Sequence, residues 1–291
     1  MAGKEARPAG EPRRDGRPEP HGRGTHDRED GAMEAQPVAD EAMTVETAQA
    51  YQALCAFCSW ALLADVGEED VARLAGDRSL FLEPPFSQVA PRAAEELAGW
   101  LAQADGEGGV SSLAREAHLD RSYLFYMVGQ SRTSPYESVY RTDDATLYGP
   151  TTFQVREAYA AHGLAFGRSA NEPDDHLGLE LSFLAYLLGL AAEGAGESPA
   201  RADAACDPAA SCDLAPDAAC DSAALADAAA FLSNHVLVFS GIYLKNLRTR
   251  ARTPFYRAVA EVAAAPLEAL AAALGAHAAE TLDETRFAVS S

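Results

Sequence analysis

A cluster of ionisable residues marks the middle of the chain, in Glu172-Pro173-Asp174-Asp175-His176 and at Glu180. Glu172, His176 and Glu180 recur every four residues, so on one helix they would lie near one face, where they could bind a metal ion. Acidic residues at a helix start could instead offset the positive end of the dipole and the free N–H groups. A carboxylate-bridged metal pair in a bundle needs Glu-x-x-His on two helices and a Glu from two others, which the sequence lacks. The dipole interpretation is therefore favoured.

Other motifs of known chemistry are missing from the sequence. It contains no GxSxG, no HExxH, no Walker loop and no GxGxxG after a strand. Cys55 and Cys58 form a CxxC, but they lie in an apolar helical pattern, which predicts burial as small apolar residues. The other cysteines lack the short paired spacing of a tetrahedral zinc site: Cys206, Cys212 and Cys220. The sequence predicts a protein that is not an enzyme and uses no metal or cofactor.

The elements that position the ionisable cluster are predicted to be helices. Apolar residues recur at steps of three and four from Thr44 onward, and Thr44 can cap that helix. Ser134-Pro135-Tyr136-Glu137 has the pattern of a capped helix start, and Thr151 can cap the next helix. Glu172-Pro173 opens the most apolar helix, whose all-round apolarity predicts a place in the middle of a bundle. Thr253-Pro254 begins a further helix. No segment alternates like a strand, so we predict an all-α protein.

Composition separates one folded domain from segments that lack a core. The 291 residues are 48% hydrophobic, enough for a core of ordinary size. We predict a disordered N-terminal tail over residues 1–43 and a single globular helical-bundle domain over residues 44–275. Residues 194–222 form a low-complexity Ala/Asp/Cys insertion loop within that domain, and residues 276–291 form a C-terminal tail.

The charge of the chain disfavours some partners. Lys and Arg number 23 and Asp and Glu number 44, which gives a formal net charge of −21 and an isoelectric point near 4.6. Nucleic-acid binding depends on clustered Lys and Arg, so DNA and RNA are poor partners. Acidity of this size favours a basic peptide or protein.

We expect the protein to be cytoplasmic. The first 40 residues contain no apolar stretch of the kind that a secretory signal needs, and the pair Arg13-Arg14 is not followed by a hydrophobic region. The most apolar segment, Leu181 to Ala192, is shorter than the roughly 18 residues of a membrane span, so no stable membrane insertion is expected. A monomer and a domain-swapped dimer both remain open.

Several segments, in order across about residues 45 to 275, resemble the pattern of a known family. Glu172-Pro173-Asp174-Asp175-His176, followed by Leu-x-x-Glu180-Leu181, is similar to the signature of the TorD/DmsD family of redox-enzyme maturation chaperones. Ser134 to Tyr140 resembles the aromatic segment of the family, and Leu147-Tyr148-Gly149 resembles its Leu-Phe-Gly with Tyr for Phe. His235 to Phe239 resembles its His-Leu-x-x-Trp with Phe for Trp, and Pro254 to Ala258 matches its Pro-Phe-Tyr-Arg-Ala.

The resemblance implies an all-α fold of the TorD/DmsD type and a cytoplasmic chaperone. Such a chaperone binds the twin-arginine signal peptide of a molybdopterin-dependent oxidoreductase and holds the apo subunit until its cofactor is inserted, before export. A leader joins a cationic start to an apolar stretch, so its receptor needs carboxylates beside an aromatic and aliphatic groove. The candidate leader-binding residues are Tyr136, Tyr140, Leu147, Tyr148, Glu172, Pro173, Asp174, Asp175, His176, His235 and Phe239.

Different members of this set would contact different parts of a leader. The apolar part would be lined by Tyr136, Tyr140, Leu147 and Tyr148, whose hydroxyl groups tolerate a wet rim. The guanidinium groups would be met by Glu172, Asp174 and Asp175, although the dipole at that helix start opposes a bound cation. His176 would be a polar contact or would hold the loop. Places in the core remain open for His235, Tyr136 and Tyr140.

Two other functions are alternatives to a chaperone. One is a metal-dependent helical enzyme that uses Glu172, His176 and Glu180. The other is an adaptor or scaffold whose acidic surface, and not a groove, recruits a partner.

Overall fold

The computed structural model describes residues 43–126, 133–165, 172–194 and 219–287. The predicted disordered tail, apart from residue 43, and most of the predicted insertion loop lie outside these ranges. The α-helices are α1 (Val45–Leu63), α2 (Glu68–Gly76), α3 (Phe86–Val89), α4 (Pro91–Leu101), α5 (Gly109–Arg121), α6 (Glu137–Arg141), α7 (Pro150–Ala161), α8 (Leu177–Glu193), α9 (Ser222–Phe231), α10 (Leu237–Arg250) and α11 (Pro254–Leu274). The described ranges hold two isolated β-bridges and no β-strand. The predicted all-α class is confirmed.

Helix α8 lies at the centre of the bundle, as its apolar sequence predicts. Most of its residues are buried, and it packs chiefly against α1, with α9 on another side. Helix α1 begins where predicted, because the Thr44 side chain accepts a hydrogen bond from the Thr47 N–H at 3.2 Å. Cys55 and Cys58 are buried in α1, as predicted, and burial raises the pKa of the Cys55 thiol to about 12.

Helices α4, α10 and α11 complete the other half of the core. Helix α11 begins at Pro254 with Thr253 as its cap, as predicted. A carboxylate oxygen of Asp120 accepts hydrogen bonds from the backbone N–H and hydroxyl groups of Thr253, at 2.8 and 2.7 Å. The Phe255 ring then contacts Trp60 and Trp100. The turn before α11 is thus held by a buried carboxylate, and the first turn of the helix is anchored by aromatic packing.

Three helix starts differ from the sequence predictions. Helix α6 begins at Glu137 and not next to Ser134, and α7 is capped by Gly149 and not by Thr151. Helix α8 begins at Leu177, so Glu172-Pro173 precedes it by more than one turn. For α6 and α8, long-range pairing between residues 135–137 and 175–177 overrides the local capping signals.

The chain after α11 returns across the bundle. The Ala279 N–H donates to the Ser233 carbonyl at 2.9 Å, and a short 3₁₀ turn forms at Glu284–Phe287. The Phe287 ring packs against Tyr140 with centroids 4.7 Å apart. Residues 276–287, assigned from the sequence to a C-terminal tail, therefore contact the helical domain.

One helical stretch, Ser222–Arg250, is long and apolar enough to cross a membrane by length and composition alone. Half of its most apolar window is buried inside the fold.

Candidate functional site

Two extended segments, far apart in sequence, pair directly at the centre of the candidate site. The Glu137 N–H donates to the Asp175 carbonyl at 2.9 Å, and the Leu177 N–H donates to the Pro135 carbonyl at 2.8 Å. Tyr136 and His176 form the antiparallel bridge between them, with ring centroids 5.2 Å apart. The pairing keeps Pro135 and Tyr136 extended, and this is why α6 starts later than its local capping signal predicts.

Asp175 joins three elements through its buried carboxylate. One oxygen accepts from the Ser138 N–H at 2.7 Å and the other accepts from the Thr152 hydroxyl at 2.8 Å. Ser138 lies in the first turn of α6 and Thr152 in the first turn of α7. Asp175 is fully buried. Acidic residues here were predicted to serve the start of their own helix, but Asp175 caps α6 instead, and in this structure both its oxygens are occupied.

His176 caps α8. Its Nδ1 atom accepts a hydrogen bond from the Gly178 N–H at 2.9 Å, so the ring is neutral with its proton on Nε2. Burial, with a smaller contribution from the charge of Arg121, lowers the pKa of His176 to about 3. A β-carbon at residue 178 would lie 2.8 Å from Leu63 Cγ and 3.0 Å from His176 Nδ1, which explains the glycine. His176 therefore holds the helix start in its neutral form.

Asp174 already holds a guanidinium group of this chain. Its Oδ2 atom accepts from Arg156 Nε at 2.8 Å, and the Arg156 guanidinium carbon lies 5.5 Å from the centre of the Phe153 ring. The Tyr159 hydroxyl donates to the Asp174 carbonyl oxygen at 3.0 Å. Asp174, predicted to meet a guanidinium group of a leader, thus contacts a guanidinium group of this chain, beside an aromatic ring.

Glu172 and Tyr136 form the half-buried edge of the site. The Tyr136 hydroxyl donates a short hydrogen bond to Glu172 Oε2. Pro173, next to Glu172, is buried. Of the three carboxylates predicted to meet a leader, only that of Glu172 is not buried.

His235 and Phe239 contact residues of α6, on the buried side of the same site. His235 Nδ1 lies 3.1 Å from Glu137 Oε2, and Arg141 donates to the other oxygen of the fully buried Glu137 at 2.6 Å. The Tyr140 ring packs on the fully buried Phe239 with centroids 5.4 Å apart. The sequence left two interpretations open for His235 and Tyr140, ligand contact or a place in the core. These contacts are those of core residues.

The metal-site interpretation is wrong. Its row of Glu172, His176 and Glu180 needs all three residues on one helix, but α8 begins only at Leu177. His176 uses Nδ1 to cap that helix. Burial, and next the charges of Glu137 and Asp175, raises the pKa of the fully buried Glu180 well above its ordinary value, which disfavours the charged carboxylate that a metal ligand needs. No group of three or more metal-ligating side chains occurs anywhere in the described ranges.

A rim of exposed apolar side chains lies next to these buried contacts, at the start of α7. We call residues 147–153 the rim. Of the seven large hydrophobic residues that are exposed in the described ranges, the rim holds three: Leu147, Tyr148 and Phe153. Tyr148 is 57% exposed and has a backbone φ of 62°. This left-handed conformation is rarely adopted by residues other than glycine. Strain of this kind often accompanies binding function.

The rim also has acidic neighbours that the sequence analysis did not single out. Asp143 and Asp144 are exposed on the same loop, a few residues before Leu147. Gly149 closes the loop, because a β-carbon there would lie 2.9 Å from Thr142 Cγ2. Paired acids beside an apolar Leu-Tyr pair were the signal that could have located this surface.

The structure brings most predicted site residues together but divides them into two layers. The buried layer contains Tyr140, Pro173, Asp174, Asp175, His176, His235 and Phe239, and the outer layer contains Tyr136, Leu147, Tyr148 and Glu172. Only the outer layer can meet a ligand without rearrangement of the fold.

Comparison with known proteins agrees with this arrangement. A family model described as nitrate reductase delta subunit matches residues 83–244, which is more than half of the chain and includes both layers of the site. The chain belongs to this family, with TorD and DmsD. The resemblance inferred from the sequence is thereby confirmed.

Curated members of the TorD/DmsD family match a shorter part of the chain. The chaperone protein TorD of Vibrio cholerae is 44% identical over 64 residues, 22% of this chain and 29% of that protein. The probable Tat proofreading chaperone DmsD of Haemophilus influenzae is 35% identical over 65 residues, 22% of this chain and 32% of that protein. The match thus spans about a third or less of these relatives. Both carry chaperone names, which supports the prediction that the chain is not an enzyme.

Proposed function

We propose that this chain is a cytoplasmic chaperone for a molybdopterin-dependent oxidoreductase, and that it binds the twin-arginine leader of that enzyme until the cofactor is inserted. The TorD/DmsD relatives support the chaperone role. The observation that carries the leader-binding step is the rim, where exposed Leu147, Tyr148 and Phe153 lie beside acidic residues.

The chemistry of the rim suits both halves of a leader. Aromatic and aliphatic side chains can bury the apolar stretch, and the exposed carboxylates can pair with guanidinium groups. Asp143, Asp144 and Glu172 are the carboxylates placed to do this without first breaking a buried contact. A net charge of −21 would also attract a cationic peptide from a distance.

The buried layer supports the rim in this proposal. Asp175 fixes α6 and α7 on either side of the loop that carries Leu147 and Tyr148. His176 fixes the start of α8. A leader would therefore meet a surface whose backbone is already in place, and this lowers the ordering cost of binding.

Titration of the full chain with three synthetic leaders tests the proposal. A twin-arginine leader should bind at least about 10-fold more tightly than the same leader with twin lysine or with a scrambled sequence, since only arginine pairs in bidentate fashion. Raised salt should weaken the binding because its electrostatic part is screened.

Equal affinity for the three leaders would contradict the proposal. The acidic adaptor alternative makes a different prediction for variants. Reversal of acidic charges outside the rim would then abolish partner binding, while Leu147→Ala and Tyr148→Ala would bind normally.

A further inference from the structure

The C-terminal residues cover part of the surface that the proposed leader site uses. We call residues 282–287 the strap. Phe287 packs on Tyr140 with ring centroids 4.7 Å apart. Arg286 donates from one terminal nitrogen to the carbonyl oxygens of Thr142 and Asp143, at 3.2 and 3.1 Å. The strap thus contacts one predicted aromatic site residue and the loop that leads to Leu147.

The strap resembles the proposed ligand, a twin-arginine leader, in that a cationic residue is followed by apolar residues. Arg286 is a cation, and Phe287, Ala288 and Val289 follow it as an apolar run in the sequence. The cation lies against two carbonyl oxygens on the loop that carries the exposed carboxylates of Asp143 and Asp144. The ring that follows it lies on the aromatic side chain beside that loop.

The strap is weakly held compared with the surface beneath it. None of the residues Glu284–Phe287 is buried. The Lys245–Glu284 ion pair that fastens the strap to α10 is 66% exposed on both side chains, and exposed pairs of this kind contribute little. A pocket of about 260 Å³ also remains between strap and helix, lined by residues that include Ile242, Asn246 and Phe287. With the strap in place, Tyr140 beneath it is only 3% exposed.

We propose that the strap is an exchangeable occupant of the leader site: Arg286 and Phe287 mark where the arginine and the first apolar residue of a leader bind, and a leader displaces them. This inference rests on the proposed function and adds a subsite to it. The subsite consists of the Thr142 and Asp143 carbonyl oxygens together with the Tyr140 ring. Only molecules with an open strap can then bind a leader. The apparent affinity of the free chain is therefore the affinity of the open site multiplied by the fraction of molecules in which the strap is open.

Two truncated chains test the exchange. The first ends at Asp283 and lacks the 3₁₀ turn, and its matched control ends at Phe287 and keeps the contacts of Arg286 and Phe287. The probe is a fluorescent synthetic twin-arginine leader. The chain that ends at Asp283 should bind it about 10-fold or more tightly than the full chain does, as expected if the strap is closed in some nine molecules out of ten. The control should bind like the full chain. Unlabelled peptide of residues 282–291 should displace the leader from the chain that ends at Asp283.

A full-length double variant, Arg286→Ala with Phe287→Ala, gives the same test without truncation, with helicity checked by circular dichroism. Equal or weaker leader binding by the open variants would overturn the exchange while leaving the proposed function intact. If no variant binds the leader, the proposed function fails, and the strap is tested alone. Binding of the 282–291 peptide to the chain that ends at Asp283 would then support the occupied subsite, and absence of binding would overturn it.

Discussion

The acidic segment, residues 172–176, and the rim, residues 147–153, are both rich in groups that suit a cationic, apolar ligand, but they differ in what those groups already contact. In the acidic segment the carboxylates of Asp174 and Asp175 and the ring of His176 are buried and hydrogen-bonded to other parts of the chain. In the rim the apolar side chains of Leu147 and Tyr148 face solvent. Residues whose chemistry suits ligand binding can therefore stabilise the fold instead. Exposure to solvent separates the structural role from the binding role.

The largest difference should appear in Asp175→Ala. This change leaves the Ser138 N–H and the Thr152 hydroxyl buried without their acceptor, so the free energy of unfolding should fall by about 3 kcal/mol. Urea unfolding followed by circular dichroism measures the loss. The matched control is Asp144→Ala at an exposed position, which should change stability by less than about 0.5 kcal/mol. Similar small losses in both variants would contradict a structural role for Asp175.

The acidic segment should also make stability depend on pH through His176. Its pKa is lowered from 6.5 to about 3, so the folded state resists a proton that the unfolded state accepts. The contribution of His176 to stability is then fully present above pH 6.5, and between pH 6.5 and 3 this contribution falls by about 1.4 kcal/mol per pH unit. His176→Asn keeps a capping acceptor without the titration, so this slope should disappear. A variant with the slope of the parent chain would refute the assignment.

Glu180 should give the opposite slope. Its pKa is raised above the ordinary value of 4.5, so the folded state holds a proton that the unfolded state loses. Stability from this group is present below pH 4.5 and is lost as the pH rises toward the folded pKa. Glu180→Gln should therefore be more stable than the parent at pH 8 and nearly equal to it at pH 4, by thermal unfolding. The slopes of His176 and Glu180 oppose each other between pH 4.5 and 6.5, so the difference in stability between the two single variants should change most steeply with pH there.

In the rim, the same kind of substitution should leave stability almost unchanged. Tyr148→Ala should alter the free energy of unfolding by less than about 0.5 kcal/mol, because the side chain is exposed. It should weaken twin-arginine leader binding about 10-fold, as expected for loss of an aromatic contact. Leu80→Ala, at an exposed leucine outside the rim, is the control for both measurements and should bind like the parent. Unchanged binding by Tyr148→Ala would remove the rim from the site.

The helical class, the central place of α8 and the caps at Thr44 and Thr253 could all be predicted from the sequence, because each depends on local periodicity or on a side chain within one turn. The starts of α6 and α8 could not. They depend on the pairing of Tyr136 with His176, two residues forty positions apart, and local capping rules carry no information about such a contact.

The sequence predicted which residues belong to the candidate site, but it did not predict which of them are buried and which are exposed. The sequence pattern indicates that Asp175 and Tyr148 belong to one region, but hydrogen-bond partners decide which of them faces solvent. The return of Phe287 onto Tyr140 was missed because a short polar segment with one aromatic residue has no periodicity that would predict docking.

Hydrogen–deuterium exchange of the full chain with and without a twin-arginine leader tests the central claim most directly, since it reports on each segment separately. The account predicts slower exchange over residues 142–153, faster exchange over the strap and no change over residues 174–180. Slower exchange confined to residues 174–180, with the rim and the strap unchanged, would contradict it.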